Sequence, residues 1–427
     1  MQVLFKNSSI IVKKGGEPAH MPKYIIRTYK VPVPAELYTM CNELNQTAAR
    51  IYNKTLSLVR KIKQKKDFWL SENSAQKFIL RWASSINIHT HSKQAFVQLY
   101  FQALDGYFKA LKSNPDAKPP YKTKKFMPFI WKDSAIKLLP DGRLRLSLGK
   151  DREPFEIQTS LPSAAKIRQA KLVHEAGKYY LHLGIEVKIE ERKEKSTKLA
   201  AVDLGILRPI TFFDGQEVVS YHGGALNQVL RYRNKELAKL QSAISKCKKD
   251  SRRYRKLLRA KNKLLRKLSN QLNDILHKIT SQFVGMCYQK AISTIVIGDV
   301  TNIRERVEGN DNAMQKVHQW CFRRITNLIM YKAQVHGIKV EQISESCTSR
   351  TCPVCGQQNH SEGRRYKCAK CGFEYHRDGV GAINIYKRYL GGGQVVAGLA
   401  PVKGVRFKPH LCSHGVKTAP WKVALSY

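Results

Sequence analysis

Four of the ten cysteines stand in two Cys-x-x-Cys pairs, Cys352 with Cys355 and Cys368 with Cys371. Twelve residues separate the pairs, and a glycine directly follows each. Such a knuckle presents two thiolates to one ion, and two knuckles complete a tetrahedral zinc site. Four thiolates leave no position open for water or substrate, so the zinc is expected to be structural. His360, His376, His410 and His414 lie nearby in sequence, but none is needed as a ligand. The other six cysteines (Cys41, Cys247, Cys287, Cys321, Cys347 and Cys412) are scattered. That usage fits a reducing compartment with one metal site rather than a disulfide scaffold.

Carboxylates supply the second candidate chemistry. Asp203 lies in "AVDLG", Glu345 in "ISESCTS" and Asp378 in "HRDGVGAINI". Taken singly they read as a turn aspartate, a loop acid and a helix N-cap. The elements that would position them suggest more. "LAAVDLG", "RPITFF" and "QEVVSY" read as three consecutive strands, the last two joined at an Asp214-Gly215 turn. Residues 231–267 are helical in pattern and carry sixteen basic residues against two acids. Leu258, Leu265, Leu272 and Ile279 then repeat every seven positions, with Leu268 and Ile275 between them, as in the seam of a helical hairpin. "ISTIVIGDV" is a continuous apolar run, expected of a strand buried on both faces. A helix from about Ala313 to Val335 ends near Gly337, "IKVEQISES" is a fifth strand, and a last helix is expected from about Val380 to Tyr389. The order β-β-β-α-β-α-β-α is that of the ribonuclease-H-like fold. In that fold the first strand is central, with the fourth beside it and the fifth beyond. Acids at the ends of such strands can hold two Mg²⁺ ions for phosphodiester hydrolysis.

The N-terminal half combines two patterns. "YIIRTY" is strand-like, and strand signals return in "DGRLRLSLG" and "GKYYLHLGIEV". Between them, from Ala35 to about Lys112, apolar residues recur at helical spacing, before a Pro-rich loop. The reading is a β-rich unit interrupted by a helical insertion. Trp69, Trp82, Tyr100, Phe101, Tyr107 and Phe108 in that insertion are expected in its core rather than as stacking platforms for bases.

Charge narrows the partners. Seventy-six Lys and Arg against 32 Asp and Glu give +44, with a pI near 10. A polyanion must neutralise such a chain, and nucleic acid gains affinity from each counterion that it releases. No apolar run approaches the roughly 18–20 residues that span a bilayer, and Met1–His20 lacks the apolar core of a signal peptide. No membrane partner is expected, and the location is expected to be the bacterial cytoplasm, on the nucleoid.

"AVDLG", "TSRTCPVCG…CAKCG" and "HRDGVGAINIYKR" resemble the TnpB proteins of insertion sequences and their relatives, the compact type V CRISPR effectors. The likeness runs over almost the whole chain, including "KYIIRTYKVP…IYNKTL" near the N-terminus. It implies an RNA-guided, Mg²⁺-dependent DNA endonuclease, with guide RNA and target double-stranded DNA bearing a short flanking motif as partners. The implied layout is a wedge β-barrel over residues 1–34 and 123–195, interrupted by a helical recognition lobe at 35–122. A RuvC nuclease domain follows at 196–350, with the basic helical hairpin inside it. A zinc ribbon at 351–375, the last RuvC helix at 376–390 and a basic tail at 391–427 complete it.

One position departs from the family pattern, which has a glutamate at the end of the fourth strand, before an aspartate. Here the pair is Gly298-Asp299. Side chains alternate along a strand, so Asp299 should point away from the face of position 298. Glu345, about two strand spacings of 4.8 Å from Asp203, is the better replacement. The expected triad, catalytic and Mg²⁺-binding, is Asp203, Glu345 and Asp378; a subset of the family resembles this arrangement. The competing expectation is a nuclease-inactive, RNA-guided DNA-binding protein that represses or targets. A conventional transposase fits less well, because its chemistry also requires strand joining.

Overall fold

The computed structural model describes residues 24–175, 177–189, 196–301, 303, 311–359, 363–392 and 399–405. Residues 190–195, the N-terminal 23 residues and most of the basic tail lie outside these. The described residues fall into two compact units that part between Val187 and Lys188.

The first unit opens with β1 (Tyr24–Pro32) and runs through three helices, α1 (Tyr38–Lys66), α2 (Glu72–Trp82) and α3 (Thr90–Leu111). It then returns to strands β2 (Phe129–Lys132), β3 (Ile136–Leu138), β4 (Arg143–Leu146), β5 (Phe155–Gln158), β6 (Ile167–Glu175) and β7 (Lys178–Lys188). The sequence reading of strands interrupted by helices therefore holds. The strands pair as a four-stranded sheet, β1-β7-β6-β2, and a three-stranded one, β3-β4-β5, rather than as one closed ring among the described residues. Trp131 ties the two sheets together. Its indole N–H donates to the Ser147 carbonyl at 2.9 Å, and its ring lies 5.8 Å from that of Phe155. Most of the aromatics expected in the core are there: Tyr100 is buried, while Trp69, Trp82, Phe101 and Tyr107 pack against the core with one side open. Phe108 departs from this and is exposed.

The second unit is built on a six-stranded sheet. Its strands are β8 (Leu199–Asp203), β9 (Ile210–Phe213), β10 (Val218–Tyr221), β11 (Thr294–Asp299), β12 (Lys339–Ser344) and β15 (Lys403–Val405), and their spatial order is β12-β11-β8-β9-β10-β15. β8 is interior, with β11 beside it and β12 beyond, as the sequence predicts. β8, β11 and β12 are mutually parallel and β9 is antiparallel to β8, so the last residues of β8, β11 and β12 emerge at one edge. β15 was not anticipated. It arises in a segment read as unpatterned tail and pairs parallel with β10 from Val219↔Lys403 to Tyr221↔Val405.

Helices α4 (Gly224–Ser245) and α5 (Arg252–Gln289) make the expected hairpin. Leu268, Leu272, Ile275 and Ile279 are buried, whereas Leu258 and Leu265 are only half-buried, so the seam is driest towards the sheet. The single helix expected at 313–335 is two: α6 (Asp311–Gln319) and α7 (Phe322–Val335). The break falls where Trp320 is only 1% exposed and Cys321 leaves helical geometry at φ −96°, ψ 43°. Burial of one large ring there outweighs the hydrogen bonds that a continuous helix would make. Between β12 and α8 (Arg377–Tyr389) lies a small lobe with the hairpin β13 (Arg365–Lys367) and β14 (Glu374–His376). No helix among the described residues is long and apolar enough to cross a membrane.

Candidate metal and nuclease site

The four cysteines converge. The sulfurs of Cys352, Cys355, Cys368 and Cys371 lie within 4.8 Å of one another, with Cys352 3.6 Å from Cys371 and Cys355 3.5 Å from Cys368. Tetrahedral ligands about 2.3 Å from one ion would be about 3.8 Å apart, so the quartet fits a single tetrahedral ion. Each knuckle is closed by a backbone bond, Gly356 N–H to the Cys352 carbonyl and Gly372 N–H to the Cys368 carbonyl, both 3.0 Å. His376 is engaged elsewhere: its Nδ1 accepts from the Asp378 amide at 3.2 Å and caps α8. His360, His410 and His414 lie outside the described residues. The nearby aspartate is thus inside the first turn of α8 rather than its N-cap.

The sheet brings Asp203 and Glu345 to one edge, and α8 carries Asp378. In register, Val202 pairs with Ile297, so Gly298 comes level with Asp203 one step on. Gly298 pairs with Ile343, and Glu345 follows two residues later, on the same face. Asp299 falls on the opposite face. It is exposed, and its carboxylate accepts from the Thr301 amide at 2.8 Å. The alternation argument that set Asp299 aside therefore agrees with the structure.

The face that carries Asp203 and Glu345 is covered by α8. Leu199, Ala201 and Val296 from that face form a small core with Ile385. Two close approaches fix the geometry. A Cβ at Gly298 would lie 2.9 Å from Glu345 Oε2, 2.9 Å from Ile385 Cδ1 and 3.1 Å from Glu345 Cβ. The Glu345 side chain therefore occupies the space that a side chain at 298 would need. A Cβ at Gly381 would lie 3.0 Å from Asp203 Oδ2 and 3.1 Å from its Cγ, so α8 packs directly on that carboxylate. Asp378, Gly381, Ile385 and Arg388 run at spacings of three, four and three along α8, which is one helical face.

The electrostatics are those of crowded anions. Burial pushes the Asp203 carboxyl well above the usual carboxylate range. The carboxylates of Asp378 and Glu345 push it further, against Arg377 and the Leu204 amide. Asp378 is held from the other side by Arg364 Nη1 at 2.7 Å and Arg208 Nε at 3.8 Å. Burial holds His376 below its ordinary value, and its Nδ1 accepts the cap bond. Three hard oxygen donors whose charges repel one another suit a small divalent cation that would relieve the repulsion. The carboxylates do not gather as tightly as the cysteine sulfurs.

Sequence reading missed Gly381, the His376 cap and Arg388. The helix-face spacing from Asp378 was the available signal for Gly381 and Arg388. α8 begins at Arg377, three residues before the Val380 that the sequence suggests, and packing of the helix on the sheet overrides the low helix propensity of Gly379 and Gly381.

Comparison with known proteins agrees in two separate stretches. Residues 182–304 match the family model described as "Probable transposase" (OrfB of IS605), and residues 322–385 match the "Cas12f1-like, TNB domain". A TnpB-like protein of Acidianus two-tailed virus is 29% identical over 225 residues, covering 51% of this chain and 48% of that relative. A TnpB-like protein of Methanocaldococcus jannaschii is 32% identical over 143 residues, covering 33% and 51%. The CRISPR-associated endodeoxyribonuclease Cas12f1 of Sulfoacidibacillus thermotolerans is 25% identical over 231 residues, covering 52% and 53%. The chain thus spans about half the length of the curated relatives it matches. Among solved structures, the Cas12f1–sgRNA–target DNA complex superposes with a TM-score of 0.62 over 82% of this chain and 83% of that one, at 13% identity, a likeness of fold.

Proposed function

We propose that the chain is a TnpB-family protein, as the matching family models and TnpB-like relatives support, and an RNA-guided DNA endonuclease whose cleavage site is Asp203, Glu345 and Asp378. The observation that carries the reading is the convergence of two of these acids on one sheet face under α8, with Glu345 filling the space left by Gly298. In this reading the second unit is a RuvC-type nuclease domain with an inserted zinc ribbon. The sheets of the first unit form the wedge around a helical recognition lobe. Guide pairing selects the target, while the protein recognises a short flanking motif and the duplex backbone.

The carboxylates would hold two Mg²⁺ ions, which supply activation of the attacking water and stabilisation of the leaving oxygen. Asp203 anchors the site from the most interior strand. Glu345 reaches it from just beyond the end of β12, across Gly298, and Asp378 closes it from the first turn of α8. Arg208 and Arg364 keep Asp378 paired in the isolated chain and would have to yield it to the metals. A nuclease-inactive, guided DNA-binding protein is the second reading, favoured by Gly298 and by the Arg364–Asp378 pair.

The test is to purify the protein with its flanking locus and sequence the RNA that accompanies it. Recovery of a defined RNA and Mg²⁺-dependent cutting of a matched duplex are expected. Absence of RNA defeats guidance, and binding without cutting selects the second reading.

Two further results are expected. The ribbon should carry about one zinc ion per chain by elemental analysis. Cys368→Ser should lose that ion and expose the remaining thiols to alkylation; a full zinc complement in the variant would refute the assignment. The exposed row Arg252, Arg253, Lys256 and Arg259 on α5 should meet phosphates of the guide or of the RNA–DNA duplex. Changing all four to glutamine should weaken RNA binding and flatten its salt dependence by roughly 0.7–0.9 log units per lost contact. An unchanged salt slope would show that this face meets only water.

A further inference from the structure

The residue proposed as relocated, Glu345, sits on a turn just beyond the end of β12 and not within a strand. A strand residue takes its direction from its ladder, but a turn residue must be held by something else. Three consecutive carbonyls around Glu345 have partners. Arg388, near the C-terminal end of α8, donates from Nη1 to the Ser344 carbonyl at 2.6 Å and from Nη2 to the Ser346 carbonyl at 2.8 Å. The Glu345 carbonyl accepts from the Thr348 amide at 3.1 Å and from the Thr348 hydroxyl at 2.9 Å. Cys347 is held in the left-handed region at φ 60°, which a non-glycine residue keeps only where its surroundings impose it.

The same helix continues the bracket. The Asn384 side-chain amide donates to the Thr348 and Thr351 carbonyls, both at 2.7 Å, and Lys387 donates to the Pro353 carbonyl within the first zinc knuckle. Asn384, Lys387 and Arg388 therefore splint the whole segment from the end of β12 to the ribbon. Of the three, Arg388 alone contacts the carbonyls of both residues that flank Glu345. A guanidinium suits this task because its planar fork presents two donors at fixed separation.

We infer that Arg388 is the positioning residue for Glu345: by clamping the Ser344 and Ser346 carbonyls it aims the Glu345 carboxylate across Gly298 towards Asp203. The inference rests on the proposed role of Glu345 as a metal-binding acid. Arg388 would touch neither substrate nor metal. It replaces, from a neighbouring helix, the directional constraint that a glutamate within β11 would have had from the sheet itself. The clamp and the vacancy at 298 are two halves of one arrangement, since a correctly aimed Glu345 needs both a fixed backbone and an empty space.

The experiment compares the wild type, Arg388→Ala, Arg388→Lys and Glu345→Ala as guide-loaded complexes. Single-turnover cleavage, the Mg²⁺ concentration for half-maximal rate, target affinity with its salt dependence, and thermal unfolding are read for each. Arg388→Ala is expected to slow cleavage by about 10–100-fold, the usual cost of losing a group that orients a metal ligand, and to raise the Mg²⁺ requirement. Target affinity should stay within about twofold, because no phosphate contact is lost. Arg388→Lys, which keeps the charge without the fork, should fall between alanine and wild type.

Wild-type rates in both Arg388 variants, alongside an inactive Glu345→Ala, would overturn the clamp and leave the proposed triad standing. A loss of target affinity that accounts for the lost rate would make Arg388 a phosphate contact and also overturn it. Should Glu345→Ala cut like the wild type, both the triad and the clamp fall.

Discussion

Glu345→Ala is expected to remove cleavage of a matched duplex by more than the roughly 10–100-fold that follows loss of an outer partner of a metal site, with guide and target binding unchanged. The argument is geometric. β11 ends in Gly298-Asp299, and Asp299 faces away from Asp203, so that strand offers no acid to the site. Glu345 lies on the Asp203 face and close enough to raise its pKa. Asp203→Asn should be at least as damaging, because Asp203 lies under Gly381 and between the other two acids. The two variants should nevertheless fold well. Removing one of three crowded anions relieves repulsion, so the metal-free Asp203→Asn protein should melt no lower than the wild type, a trade of stability for function common at active sites. Cleavage by Glu345→Ala at the wild-type rate would defeat the relocated triad; a wild type that binds and never cuts would select the binding-only reading.

The second large effect concerns the empty space. Gly298→Glu restores the residue type that the family pattern has at this position, yet it is expected to inactivate the protein. A side chain there meets Glu345 Oε2, the Ile385 methyl and Glu345 Cβ at 2.9–3.1 Å from its first carbon. Two carboxylates would compete for one volume and repel each other. In a Glu345→Ala background the same substitution should help rather than harm, because the acid is then supplied from β11. Touching residues couple non-additively, so the double variant should cut faster than Glu345→Ala alone, the reverse of the loss that Gly298→Glu causes in the wild-type background. Strictly multiplicative losses in the three variants would mean that positions 298 and 345 do not share a role. Faster cutting by the double variant would separate position from identity: the proposed site would require one carboxylate on that face, from whichever strand can place it.

The sequence by itself determined much of this protein. The cysteine spacing specified two knuckles able to share one metal ion, because each Cys-x-x-Cys closes locally. The strand order of the second unit was legible because β8 to β11 are rich in β-branched and apolar residues, with short loops between the first three strands and helical patterns between the later ones. Alternation along β11 was enough to set Asp299 aside, since period two is a property of the extended backbone. The charge excess pointed to a polyanion without any structure.

Tertiary structure decided the rest, for reasons of the same physical kind. Pairing of residues 403–405 with the edge of β10 depends on a neighbour that local pattern does not see. The break at Trp320 comes from burying one ring in a core assembled from other elements. The closeness of Gly381 to Asp203, the filling of the Gly298 space by Glu345, and the grip of Arg388 on two carbonyls 42 and 44 residues away exist only once α8 lies across the sheet. The sequence could nominate three acids; only packing could say that a missing side chain on one strand is the room required by a side chain from the next.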